Sequence, residues 1–237
     1  MKKIVLLMAI LSQILSAKVL SATYEVSFGI FQTMGVADAR FEIKDDQTYT
    51  IRIEAKTTGI AKVLSGNRIE IYESRGTVRN GKLLPDMYSK VRKNNSKKVT
   101  KIYTFDHANK VVWKETIEGN ERNKEPYDFY AAEDILTLFF NIDTYLKTRQ
   151  DRVLHAIGGS GKDGRIDVVF PNSKVLKEMK KELDMEDGEF LKVVLNDRIF
   201  SSANGELLIN LGSDGLCDKA VLEDVLLFGD VVGMRVR

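Results

Sequence analysis

The chain has 237 residues, 43% of them apolar and 30% charged, a balance that excludes intrinsic disorder and suits one large β domain or two small ones. Thirty-six basic against 34 acidic residues leave a net charge of +2, which gives electrostatic capture of nucleic acid no support. Cys217 is the only cysteine, so no intramolecular disulfide forms and stability has to come from core packing and sheet pairing.

Residues 1–17, MKKIVLLMAILSQILSA, read as a cleaved export signal. Lys2 and Lys3 supply the charged start, Ile4 to Leu15 the apolar stretch, and Leu15-Ser16-Ala17 the small-residue cleavage site, with cleavage after Ala22 as the alternative. The apolar stretch is shorter than the ~20 residues of a spanning helix, and no cysteine follows it to carry a lipid anchor. Loss of Lys2 and Lys3 leaves 34 basic and 34 acidic residues. The expectation is a periplasmic protein with residues 18–237 as a single β-rich domain.

Period-two alternation then recurs almost to the C-terminus. In YTIRIEAK, Tyr49, Ile51, Ile53 and Ala55 face one way and Thr50, Arg52, Glu54 and Lys56 the other, the pattern of a half-buried antiparallel strand. Asp45-Asp46-Gln47 turns the chain between ADARFEIK and that strand. Asn80-Gly81 lies between two extended runs, a strong hairpin signal. Asn94-Asn95-Ser96 leads into KKVTKIYTFD, and His107-Ala108-Asn109 into KVVWKETIEG. After an apolar block at 130–141, VLHAIG and RIDVVF flank GGSGKDG. Val175, Leu176, Met179 and Leu183 then fall at helical spacing behind Asn172 or Ser173 as a cap. Four strands close the chain: GEFLKVVLN, ELLINL, a run from Leu216 through Phe228, and VVGMRV, with Gly212-Ser213-Asp214-Gly215 as one of the turns. The expected fold is mainly β: one antiparallel meander of roughly a dozen strands forming a strongly curved sheet or open barrel. One apolar helix packs on its concave face, and there is one shorter amphipathic helix.

The block YAAEDILTLFFN raises the functional question. Ile135, Leu138, Phe139, Ile142, Tyr145 and Leu146 share one helical face, widened by Leu136 and Phe140, while Glu133 and Asp134 begin the helix and Lys147 and Arg149 end it, in keeping with the helix dipole. Each large apolar side chain contributes about 1.5–3 kcal/mol when buried, so such a face needs cover. It either plugs the sheet completely or leaves an apolar space for a lipid-like ligand, in which case Ile135, Leu138, Phe139 and Ile142 are the lining candidates. A space above ~300 Å³ lined by Phe, Leu and Ile favours binding, and a smaller one favours a packed scaffold.

Other motifs offer less chemistry. In GGSGKDGR, Lys162 is followed by Asp163 and then a strand, so it is a hairpin turn and not a phosphate loop. His107 and His155 lie 48 positions apart with no metal-ligand spacing, no GxSxG elbow is present, and Cys217 has no histidine near it in sequence. Asp45-Asp46 and Glu186-Asp187 sit in polar turns. No metal or cofactor is implied. The stretch KVRKNNSKKVTK holds six basic residues and no acid, and Arg92, Lys93, Lys97 and Lys98 are its candidates for anionic or peripheral membrane contact; a solvated hairpin tip is the plainer alternative.

Several stretches together carry a family resemblance: YEVSFGIF with Gly35, RIEIYESRGTVRNGKLLPDMY, KIYTFD, the helix starting near EDILTLFF, and LLINLGSDGLCDKAVLEDVLLFGDVVG. In these the chain resembles the domain-of-unknown-function 3108 family of exported bacterial proteins, with details of ε-proteobacterial type. The resemblance implies a periplasmic β-rich fold and supplies no catalytic residue. The expected function is a non-enzymatic periplasmic protein that binds an apolar or lipid-like ligand or assists envelope assembly. The alternative is a packed scaffold that recruits an envelope protein partner at its sheet edges. A third class, hydrolase, requires His107 or His155 beside a carboxylate and a hydroxyl.

Overall fold

Nearly every alternating run forms a strand. A computed structural model describes residues 18–29, 31–160, 162–195, 205–225 and 229–237 of the chain; the expected export signal lies outside the described residues. β1 (Lys18–Phe28), β2 (Phe31–Ile43) and β3 (Thr48–Thr57) lead through a short helix α1 (Gly59–Leu64) to β4 (Ile69–Arg79) and β5 (Lys82–Lys93). β6 (Lys98–Asp106), β7 (Val111–Glu118) and β8 (Glu121–Pro126) complete the first half. Two more short helices, α2 (Ile135–Phe140) and α3 (Asp143–Leu146), separate it from β9 (Arg152–Ser160) and β10 (Arg165–Val169). Helix α4 (Ser173–Leu183) precedes β11 (Glu189–Leu195), β12 (Glu206–Leu211), β13 (Cys217–Val225) and β14 (Gly229–Arg235).

Among the described residues all fourteen strands belong to one antiparallel sheet in the order β8-β7-β6-β5-β4-β3-β2-β1-β14-β13-β12-β11-β10-β9. The first and last strands pair with each other, Tyr24 opposite Arg235 and Val26 opposite Gly233, which joins the two halves. The turns form where turn chemistry stands: Asn80 and Gly81 both have positive φ, as a two-residue hairpin requires, and the Asp46 carboxylate accepts from the backbone N–H of Thr48. β1 begins at Lys18, and Lys18–Ala22 pair with Ala39–Ile43, so cleavage after Ala22 would remove half of a central strand.

The sheet curls around α2. That helix packs on β4 and β5 on one side and on β9 on the other. β5 and β9 are ten places apart in the sheet order, about 48 Å if the sheet were flat, whereas a helix is only about 10–12 Å across. The sheet remains open between β8 and β9. The chain crosses that gap through the segment carrying α2 and α3: the N–H of Tyr127 donates to Val112 O at 2.7 Å, and that of Ile157 donates to Glu133 O at 2.9 Å.

Two cores meet at α2. Leu136 packs with Phe41, Ile51, Tyr88 and Tyr103 of the first half of the sheet. Leu138 and Ile142 pack with Ile166, Leu191, Val193 and Leu211 of the second half. The opposite face of the second half is covered by α4, whose Met179 and Leu183 meet Phe190, Leu208 and Val221. Asn172 caps α4, accepting from the N–H groups of Lys174 and Val175, each at 3.0 Å.

Three features differ from the sequence expectation. The apolar helix is divided at Asn141 into two short pieces, so the amphipathic α4 is the longer helix. β8 has every residue exposed, so it carries no apolar alternation to reveal it. α1 buries none of its residues, and at six residues it is too short for its apolar spacing to stand out as a helix.

Candidate functional site

The site is built on α2, which polar side chains fasten at both ends. Asp134 caps the N-terminus: its Oδ1 accepts from the N–H groups of Leu136 (2.8 Å) and Thr137 (3.0 Å), and its own N–H donates to Thr137 Oγ1 (2.9 Å). Its other oxygen accepts from Ser74 Oγ on β4 at 2.7 Å. Since that bond uses the only proton of the Ser74 hydroxyl, Tyr49, 3.2 Å away, donates to Ser74 in turn. Burial drives the Asp134 carboxyl up to about 6 from 3.8, although Ser74, Thr137 and Leu136 all donate to it. At the far end of α2, the Asn141 side chain pairs with the backbone of β5 as a strand would. Leu83 N–H donates to Asn141 Oδ1 and Asn141 Nδ2 donates to Leu83 O, both at 2.9 Å. Asn141 Nδ2 also donates to Glu133. This tether to β5 accompanies the helix break at Asn141.

Fastened in this way, α2 stands off part of the sheet. A trough of about 180 Å³ remains between them, lined chiefly by Leu20, Phe41, Ile51 and Ile53 of the sheet and by Leu136, Phe139 and Phe140 of α2. The rings of Phe41 and Phe140 stack 4.3 Å apart along it. Phe139 and Phe140 are partly exposed at its edge. Leu216 and Cys217 close the side toward the second half of the sheet, and Tyr24 and Arg40 also contribute.

A cationic cluster continues the same face. Ile53 is the cross-strand partner of Tyr72, Tyr72 of Lys90, and Lys90 of Lys101, so these four form one row across β3 to β6. The Lys90 ammonium sits 4.9 Å from the Tyr72 ring centre. Arg68 and Arg92 flank the row, bound to Glu70 at 2.8 and 2.9 Å. Burial pushes the Glu70 carboxyl up, but the Tyr72 hydroxyl, Lys90, Arg92 and Arg68 outweigh it and hold the group below its ordinary value. One carboxylate thus serves three cations, and the row passes from apolar to basic within four strands.

Of the lining candidates taken from sequence, Phe139 faces the trough. Ile135 packs against both cores, while Leu138 and Ile142 are buried against the second half of the sheet. Leu136 and Phe140, which only widened the face in sequence, are the other lining residues on α2. The basic candidates are all exposed; Arg92 is bound to Glu70 and Lys97 to Glu118, whereas Lys93 and Lys98 stand at the hairpin tip. The sequence pattern missed Ser74 and Asn141, because a polar residue inside an apolar run looks the same whether or not it anchors another element.

The remaining reactive side chains have local partners. His107 lies between the Tyr130 hydroxyl (2.9 Å) and the Pro85 carbonyl (2.6 Å), and His155 meets the backbone carbonyl of Asp163 at 3.0 Å. Among the described residues no group of three or more His, Cys, Asp or Glu side chains is placed to hold a metal ion. Burial, with Asp218 adding to it, pushes the Cys217 thiol up to about 12. At pH 8 native Cys217 is therefore expected to react with iodoacetamide at least about tenfold more slowly than in the urea-unfolded chain, as followed by intact-mass kinetics. Equal rates would contradict its placement in the trough wall.

The family model described as Protein of unknown function (DUF3108) matches residues 23–182, more than half of the chain. The chain belongs to the DUF3108 family. No curated protein and no solved structure matches it. The DUF3108 match runs from β1 into α4 and so includes Asp134, Asn141, Ser74 and every trough residue except Leu20, Leu216 and Cys217. β11 to β14 lie beyond it, yet they complete the same sheet.

Proposed function

We propose that this DUF3108 protein is an exported, non-enzymatic binder of a lipid-like amphiphile, acting in the periplasm to carry or present envelope components. The trough takes a segment of one apolar chain and the Lys90–Arg92 end receives an anionic head. The observation that carries this reading is the continuity of the row Ile53, Tyr72, Lys90, Lys101 with the aromatic trough. An apolar cavity of about 150 Å³ lined by Leu, Ile and Phe is large enough to bind benzene, so about 180 Å³ suits a short stretch of acyl chain. It falls below the ~300 Å³ at which small-molecule sites begin, and a whole lipid would not be enclosed.

That modest volume favours a second reading, a packed scaffold with the trough as residual space. Strand addition at the β8 edge has less support, because Glu121, Arg122, Lys124, Glu125 and Pro126 are all exposed there and such residues discourage pairing. Native mass spectrometry of the mature protein and titration with a fluorescent fatty acid separate the two readings. Ala39 lines the trough, and Ala39→Phe is expected to fill it and weaken fatty-acid binding by about tenfold or more, with the far-ultraviolet spectrum unchanged. Wild-type protein that carries no lipid and binds no fatty acid would leave the scaffold reading.

A further inference from the structure

Helix α1 was not foreseen from the sequence and has no role in the trough. It links β3 to β4 at one rim of the sheet and is held from behind, where the Thr58 N–H donates to Met34 O at 2.9 Å and the Thr58 hydroxyl to Thr33 O at 3.2 Å. Its outward face is aliphatic. Ile60, Val63 and Leu64, spaced to share one side of the helix, are 62%, 79% and 79% exposed. Val63 and Leu64 are the two most exposed large hydrophobic side chains among the described residues. Such an exposed aliphatic cluster needs a reason.

Its neighbours supply one. The tip of the β5–β6 hairpin is bonded to the exit of α1: the Asn95 N–H donates to Gly66 O at 2.8 Å, and Asn67 Nδ2 donates to Asn95 Oδ1 at 2.7 Å. The aliphatic knuckle and the basic hairpin are therefore parts of one surface. Lys93 and Lys98 are cross-strand partners at that tip, and Lys62 lies on α1 itself. Lys97 is engaged by Glu118 at 2.6 Å, but among the described residues Lys62, Lys93 and Lys98 meet no carboxylate at ion-pair distance.

We infer that this rim docks on an anionic phospholipid surface, Ile60, Val63 and Leu64 entering the interface while Lys62, Lys93 and Lys98 meet the headgroups. Aliphatic side chains ringed by long, flexible cations match that boundary, where the lysine stems lie along apolar matter and their charges stay in the polar layer. A second copy of the chain fits poorly, since a two-fold contact through this face would set lysines against lysines. A helix of six residues is about 9 Å long, so entry is shallow and the binding reversible.

Flotation of the mature protein with vesicles tests the inference. Mixed phosphatidylglycerol–phosphatidylethanolamine vesicles are expected to carry the protein up, and pure phosphatidylcholine vesicles to carry at least about tenfold less. Raising the salt to about 1 M is expected to release most of it, because the Debye length falls to about 3 Å. The triple variant Ile60→Ser, Val63→Ser, Leu64→Ser and the double variant Lys93→Glu, Lys98→Glu are each expected to lose binding about tenfold or more. All five positions are exposed, and a thermal melt matching wild type confirms that the variants fold. Ala39→Phe is expected to bind vesicles normally, which keeps this result separate from the trough. Three outcomes overturn the inference: no binding to anionic vesicles, undiminished binding by the serine variant, or a wild-type dimer in light scattering that the serine variant dissolves.

Discussion

Asp134→Asn is expected to stabilise the protein at pH 7 while leaving it near wild type at pH 4. The sign follows from the buried carboxyl. Its pKa stands at about 6 in the folded state against 3.8 for an ordinary aspartate, because burial penalises the charge more than Ser74, Thr137 and Leu136 relieve it. Between those two values the folded chain holds a proton that the unfolded chain has released. Stability linked to this group is thus fully present below about pH 3.8, falls as the pH rises toward 6 and stays low above it. A gap of roughly two pH units corresponds to about 3 kcal/mol. Asparagine keeps the cap, since its carbonyl oxygen can accept from Leu136 and Thr137, and it never ionises. The difference between variant and wild type should therefore open between pH 4 and 6 and reach about 3 kcal/mol at pH 7. In a chain this long that is about 6–12 °C in melting temperature. Melts followed by circular dichroism across this range provide the measurement, and a difference that ignores pH would show that Asp134 is not buried at the end of α2.

Much of this architecture can be read locally, and the limits of that reading have physical causes. Alternation such as Tyr49-Ile51-Ile53 marks a strand because successive side chains leave opposite faces, and the Asn80-Gly81 turn is visible because few other residues accept its dihedral angles. The pairing of β1 with β14 leaves no such trace: it joins residues more than two hundred positions apart, and nothing in Tyr24 or Arg235 alone specifies it. The apolar helix was legible as a core element but not its orientation, which decides that Leu136 and Phe140 face the trough while Leu138 and Ile142 are sealed away. Asp134 stood out only as an acid near a helix start. Its bond to Ser74, sixty residues earlier, depends on the sheet having curled.

The two faces of α2 can be separated by the same substitution made two residues apart. Leu138 is 4% exposed and belongs to the buried cluster of Ile142, Ala156, Ile166, Val168, Leu191, Val193 and Leu211. Leu138→Ala leaves a closed cavity in that cluster, and the expected loss is about 2–5 kcal/mol with no gain in binding. Leu136 is nearly as buried but borders the trough, so part of its surroundings is already empty. Leu136→Ala then costs less, because the new space joins an existing opening instead of forming a closed cavity. It should also bind a bulkier apolar probe more tightly, since the trough grows beyond about 180 Å³. Urea unfolding gives the two stabilities, and titration with fatty acids of increasing width gives the two affinities. The amphiphile reading requires the asymmetry: a large loss without binding gain at Leu138 and a smaller loss with gain at Leu136. If both variants lose equally and neither changes affinity, α2 is a plug on both faces and the trough is only slack in its packing.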